Sequence, residues 1–240
     1  MKVDRKKLVL PLTIALLFLA ATAIIRTGGL RRSVPASAAE TRPAMLVIDP
    51  GHGGLDGGAS AADGTTESGI NLAIALRLRD LCLLYGLPCK MTRTSEALEY
   101  PPELGTIHEK KVWDQQQRLA MTQETRNSVL LSIHQNYYPD RRPSGIQVLY
   151  AETAGSEQLG TVIHDNLLRS LCPECRRVLM PAGKSIYLMK QVQCPAILVE
   201  CGFLSNPEEA AQLASCAHQT KIAAVLLASY LEFESMLTAA

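Results

Sequence analysis

Met45-Leu-Val-Ile-Asp-Pro-Gly-His-Gly-Gly54 is the stretch on which the reading of this chain turns. Four apolar residues run without a break and stop at Asp49-Pro50-Gly51, the pattern of a strand buried on both faces that ends in a tight loop. His52 stands on that loop among glycines, which let the backbone turn sharply and let another group approach. Downstream, Ile70, Ala73, Ile74, Leu78, Leu81 and Tyr85 recur at helical spacing until Gly86 and Pro88 stop them. Cys89-Lys-Met-Thr92 then reads as a second strand, and 94–107, with Pro101-Pro102 and Gly105, reads as irregular.

The alternation continues to the end of the chain. A helix is expected over 109–126, a strand at Val129–Ile133, a partly exposed strand at Ile146–Tyr150 and a helix from Leu159 to Leu171. Two further apolar runs, Ile186–Met189 and Ala196–Val199, precede helices expected at 207–216 and 219–235. Near-continuous apolar strands alternating with helices predict an α/β layered sandwich: a central, mostly parallel mixed sheet with helices on both faces.

Charge is distributed unevenly. Residues 1–43 carry eight Lys/Arg and two Asp/Glu, whereas residues 44–240 carry sixteen and twenty-one. An acidic body argues against nucleic acid as the partner, because phosphate binding needs a basic footprint. The basic residues flank an uncharged run from Leu8 to Ile25, eighteen residues long. As a helix it would span about 27 Å, enough for a bilayer core. Residues 1–25 therefore read as a signal peptide or an uncleaved membrane anchor; Ala36-Ser37-Ala38 offers a cleavage site, though far beyond the apolar run. Residues 26–43 read as a linker and 44–240 as the folded domain, exported and extracytoplasmic. Seven cysteines suggest no framework; Cys172-Pro-Glu-Cys175 is either a local disulfide or two free thiols.

Three polar residues fall at equivalent places in this pattern. His52 lies past the first strand, His134 directly follows Leu131-Ser-Ile133, and Glu200 directly follows Ile197-Leu-Val199. Ligands of open α/β sheets bind outside the carboxyl ends of the strands, so the three can converge. Glu67 opens the first helix, close in sequence to the His52 loop. Two imidazoles and a carboxylate suit one Zn²⁺ with a position left open, and a second carboxylate would then be available for proton transfer. Spacing alone leaves a structural reading of each histidine open.

Residues 45–235 resemble the zinc-dependent N-acetylmuramoyl-L-alanine amidase family. The resemblance rests on five ordered blocks: Val47–Gly54; Glu67 with Asn71-Leu72 and Ala75-Leu76; Thr92-Arg93; Leu131-Ser-Ile-His-Gln-Asn136; and Pro195–Glu209. It implies a zinc-exopeptidase-like fold, zinc on His52, Glu67 and His134, and Glu200 as the catalytic carboxylate. Ser185–Met189 and Glu200-Cys-Gly-Phe203 are similar to the germination-specific, spore-cortex branch of that family. Peptidoglycan is then the expected substrate, the membrane a partner if the N-terminal segment is retained, and an activating protein a further candidate partner.

The chain departs from the family pattern in places. Ser68-Gly69 replaces the usual Lys-Asp after the ligand glutamate, Gln123 stands where Asn is expected, and Gln135 occupies a position that commonly holds a small residue, which predicts a narrower pocket. Asn136 is a candidate for substrate contact or loop bracing, and Arg176 with Arg177 for facing anionic substrate groups or being solvated. Asp49 is a candidate partner for the second nitrogen of His52, or a loop cap. Cys201 paired with His164 as a nucleophile is the sharper alternative to a buried thiol, and His108, His164 and His218 read as surface or packing residues. The acidic stretch Glu96 to Glu103 reads as a surface loop. A zinc carboxypeptidase acting on wall peptides, or a non-catalytic wall-binding regulator, are the competing functions.

Overall fold

The computed structural model describes residues 44–239, and the expected export segment and linker lie outside the described residues. Among the described residues no helix is long and apolar enough to cross a membrane. Six strands run β1 (Met45–Pro50), β2 (Cys89–Met91), β3 (Ser128–Asn136), β4 (Gln147–Tyr150), β5 (Met180–Pro181) and β6 (Ala196–Phe203). The helices are α1 (Glu67–Leu84), α2 (Ile107–Glu124), α3 (Ser156–Leu171), α4 (Tyr187–Gln191), α5 (Pro207–Ala214) and α6 (Cys216–Ala239).

The strands form one sheet in the order β2-β1-β3-β6-β4-β5. The first four are mutually parallel; β4 pairs antiparallel with β6, and β5 follows β4 in parallel. This is the mixed, mostly parallel layered sheet that the strand pattern predicts.

The period-2 alternation of strand side chains divides the core between the two faces. Leu46, Ile48, Leu131, Ile133, Ile197 and Val199 pack on one side with Ile74 and Leu78 of α1, Ile163 of α3, and Leu226, Tyr230 and Phe233 of α6. Val47, Leu130 and Leu198 point to the other side, where Leu188, Met189 and Val192 cover them with help from Leu119 of α2. The second cover is the thinner one. Counting on by twos from Val47, Leu130 and Leu198 puts Asp49, Ser132, His134 and Glu200 on that face, at the carboxyl ends of three adjacent strands.

Several boundaries differ from the sequence reading. The run Ile186–Met189 forms the short helix α4 rather than extended chain, and its inward residues Leu188, Met189 and Val192 fall at helical spacing. A four-residue apolar run carries no periodicity that separates the two outcomes. The helix expected at 109–126 begins earlier, because Thr106 and Glu109 close a reciprocal capping box. β3 and β6 extend past Ile133 and Val199, so His134 and Glu200 lie within the strands and are register partners. The two-residue strand β5 has no apolar signature in the sequence; it sits exposed at the sheet edge, where a proline costs no ladder bond.

Candidate metal centre

The His52 loop is built from the backbone outward. His52 has a φ of 61°, unusual for a residue with a side chain, and the structure holds it there from several sides. Arg118, almost fully buried on α2, donates from Nη1 to Asp49 Oδ1 (2.7 Å) and Pro50 O (2.8 Å), and from Nη2 to His52 O (2.6 Å). Arg93 adds bonds to the carbonyls of Pro50 (3.0 Å) and Gly51 (3.0 Å), and Asn71 bonds Gly51 O at 3.1 Å. The loop's carbonyls, buried with nowhere to go for water, are thus satisfied by side chains of α1, α2 and the segment after β2.

Glu67 enters from the first turn of α1, which Thr66 caps through Gly69 N. Its Oε2 accepts from Ala59 N at 3.0 Å and its Oε1 from Gln135 N at 3.1 Å. The same Oε1 lies 3.2 Å from His52 Nε2 and 3.0 Å from His134 Nδ1. The two imidazoles meet edge to face, with centroids 5.0 Å apart. Burial opposes ionisation of Glu67, but hydrogen bonds from both imidazoles outweigh it and hold the carboxyl well below the ordinary range. Two glycines make room. A side chain at Gly51 would collide with the His134 ring, and one at Gly58, where φ is 66°, would lie 2.5 Å from Glu67 Oε2 and 2.9 Å from His52 Cδ2.

The other nitrogen of His52 corrects one expectation. Nδ1 lies 3.0 Å from Asp56 Oδ2, not on Asp49. Asp49 is instead the hub of the loop's foundation: besides Arg118 it accepts from Thr92 Oγ1 (2.7 Å) and Ser132 Oγ (2.6 Å). Burial opposes its charge; Arg118 and the two hydroxyls still hold its carboxyl below the ordinary range. Asp56 escaped the sequence reading, although a lone carboxylate four residues after His52, flanked by Gly57, was there to be read.

Ligand atoms of His52, Glu67 and His134 all lie within 4.8 Å of one another. Two ring nitrogens and one carboxylate oxygen are a donor set that a borderline divalent cation such as zinc accepts, so these residues fit a metal. Glu200 stands beside His134 across the β3–β6 pair, and its Oε2 is buried without a hydrogen-bond partner among the described residues. Burial pushes its carboxyl up to about 7, with the neighbouring imidazoles pulling against that and the Glu67 charge adding to it. A cleft of about 210 Å³ opens over His52, His134 and Glu200, walled by Lys111, Asp114, Gln115 and Arg118 of α2 and by Ser185–Leu188.

Other sequence candidates fall elsewhere. Gln135 does not narrow the cleft: it points to the opposite face of β3, where its amide bonds Asn71 at 3.0 Å. Asn136 ends β3, its carbonyl accepting from Leu204 N, and does not line the cleft. Arg176 is exposed beside the Cys172–Cys175 disulfide, also away from the cleft. Arg177 stacks on the Phe203 ring, 4.5 Å from its centroid. Cys201 is buried and its thiol is pushed up by desolvation, while His164 spends both nitrogens on Asp165 and the Arg177 carbonyl, so no nucleophilic pair forms.

Residues 46–229 match the N-acetylmuramoyl-L-alanine amidase family model. The germination-specific N-acetylmuramoyl-L-alanine amidase of Bacillus subtilis is 34% identical over 190 residues, covering 79% of each chain. The amidase AmiC of Escherichia coli is 29% identical over 81% of this chain, which spans about half (54%) of that longer protein. Among solved structures, the CwlD amidase of Clostridioides difficile, in complex with the GerS lipoprotein, superposes with a TM-score of 0.77 at 32% identity, covering 80% of this chain and 99% of that one. A family model spanning most of the fold and relatives above 30% identity agree with a site at which two histidines and two glutamates come together, and this chain belongs to the N-acetylmuramoyl-L-alanine amidase family of enzymes.

Proposed function

We propose that this chain is a zinc-dependent amidase that hydrolyses the bond between the lactyl group of N-acetylmuramic acid and L-alanine in peptidoglycan. The observation that carries the reading is the buried, unpartnered Glu200 Oε2 beside three convergent ligand groups. A buried carboxylate oxygen without a protein partner calls for an explanation, and a proton-transfer role beside a metal supplies one.

His52, Glu67 and His134 would hold the metal. Zinc bound there would supply Lewis acidity toward the scissile carbonyl and acidity to the attacking water. Glu200 accepts the proton of that water and delivers it to the L-alanine nitrogen as the C–N bond breaks, leaving a lactyl carboxylate and a free stem peptide. Its raised pKa, about 7, suits a group that must take and return a proton near neutrality. Arg118, Asp49 and Arg93 keep the loop rigid while the proton moves.

The domain reading completes the proposal: 1–25 an export segment or anchor, 26–43 a linker, and 44–240 the catalytic domain working outside the cytoplasm. The similarity to a germination-specific relative supports a role in spore cortex maturation or germination, and the lipoprotein on the Clostridioides difficile structure supports a protein partner for this chain. The test is incubation of the full-length chain with purified peptidoglycan, with zinc and after chelation, followed by mass analysis. Intact stem peptides with a free L-alanine amine are expected only with zinc. Release of single amino acids would establish a carboxypeptidase instead, and wall binding without cleavage a regulator.

A further inference from the structure

We infer that Asp56, clamped by Lys111, is the positioning residue that decides which nitrogen of His52 faces the metal; the inference rests on His52 being a ligand. A neutral imidazole carries one N–H and one lone pair, and only the lone pair binds metal. His52 Nδ1 lies 3.0 Å from Asp56 Oδ2, and an ionised carboxylate can only accept. Once metal displaces the Nε2 proton that Glu67 accepts in its absence, the remaining proton is held on Nδ1, and the lone pair on Nε2 is turned toward Glu67 and His134.

Asp56 is itself held on every side. Its backbone exchanges two hydrogen bonds with Gly53, at 2.7 and 3.0 Å, and Gly58 N donates to its Oδ1 at 3.3 Å. Lys111 Nζ, from α2, sits 2.8 Å from that same Oδ1. Lys111 and Arg118 lie seven residues apart, two turns along one face of α2. One face of this helix thus grips His52 twice: Arg118 at the backbone carbonyl, Lys111 through Asp56 at the ring.

The arrangement makes an unusual demand on a substitution. Lysine can only donate, and so can His52 Nδ1–H, so the residue between them must accept on both sides. In Asp56→Asn, one orientation offers the carbonyl to His52 and turns the NH₂ on Lys111, donor against donor. The other satisfies Lys111 but presents the NH₂ to Nδ1, which moves the ring proton to Nε2, where metal must bind. Removing the lysine lifts the closer of the two donor clashes, leaving only the longer Gly58 N contact at 3.3 Å, so the asparagine can then turn its carbonyl to His52 at much lower cost.

The test is zinc affinity of the full-length chain, measured by competition with a chromophoric chelator and independent of activity. Asp56→Asn is expected to bind zinc about 10–100-fold more weakly than wild type. Lys111→Met alone should stay within about threefold, and Asp56→Asn with Lys111→Met should recover most of the loss. A double variant no tighter than Asp56→Asn overturns the proposal, as does an Asp56→Asn protein that binds like wild type. Nitrogen-15 NMR of the zinc-loaded wild type needs no variant: the His52 proton is expected on Nδ1, and finding it on Nε2 overturns the proposal too. A wild type that takes up no zinc overturns both the ligand reading and this inference; tight wild-type binding with an indifferent Asp56→Asn overturns this inference alone.

Discussion

Replacing Arg118 with Met removes the only cation that, among the described residues, touches the buried Asp49 carboxylate. Asp49 is 2% and Arg118 5% exposed, and their contact is 2.7 Å. The variant leaves Asp49 with two hydroxyl donors and no counter-charge, and strips bonds from the Pro50 and His52 carbonyls. Breaking one side of a buried pair costs about 3–5 kcal/mol. For a domain of this size that corresponds to a fall in Tm of roughly 6–20 °C. Asp49→Asn alone should cost about 2–3 kcal/mol, because Arg118 keeps Asp114 and the two carbonyls but loses its buried charge partner. The double variant, Arg118→Met with Asp49→Asn, buries no lone charge between these positions, so it should cost less than the two singles together by about 1.5–3 kcal/mol. Urea unfolding of the four proteins with chelator present measures the cycle. Additivity within about 0.5 kcal/mol would show that the two side chains act independently and would refute this account of the loop's foundation.

Three further outcomes follow from the same geometry. Glu200→Gln, almost isosteric, should retain zinc at one per chain yet lose about 10²–10⁴-fold in cleavage of peptidoglycan, whereas His134→Ala should lose both; metal analysis beside product mass spectrometry checks this, and an active Glu200→Gln protein sinks the role given to that carboxylate. Burial opposes the charge on His52, but Asp56 and Glu67 outweigh it and raise its pKa to about 9 in the metal-free protein. Below that pH a proton must leave before zinc binds, so affinity should rise about tenfold per pH unit from this group and level off above pH 9, and a flat profile between pH 6.5 and 8.5 contradicts it. Gly58→Ala puts a Cβ 2.5 Å from Glu67 Oε2 in a backbone with φ of 66°; it should cost about 1–2 kcal/mol of stability and weaken zinc binding, read by unfolding and by chelator competition.

Much of the fold is legible in the chain because its signals are local. Met45–Ile48 and Ala196–Val199 are unbroken apolar runs, Val129–Ile133 is interrupted by Ser132 alone, and the α1 residues from Ile70 to Leu81 keep helical period, so burial on both faces and on one face can be told apart from neighbouring residues alone. Thr106 and Glu109 spell a capping box that places the start of α2 more accurately than hydrophobic spacing does. Where the signal is short, the reading fails: Ile186–Met189 could be strand or helix, and only the space between α2 and the sheet made it helix. β5 is exposed, two residues long and held solely by its neighbour β4, so nothing in its own composition announces it.

The site divides in the same way. The sequence by itself determined that His52, His134 and Glu200 stand at the ends of three of the strands and that Glu67 opens the first helix, and family resemblance supplied the expected roles. Only the tertiary structure decided that all four meet at the carboxyl ends of the strands, because the strand order β1-β3-β6 and the register His134 to Glu200 are properties of pairing between distant segments. It alone chose between the two readings of Asp49, making it the foundation of the loop rather than the partner of His52, and gave the ring to Asp56 and Lys111. It also carried Gln135 to the far face, since one residue along a strand reverses the side chain's direction. Residue type and period are written along the chain; which donors face which acceptors depends on distances that the chain closes only when it folds.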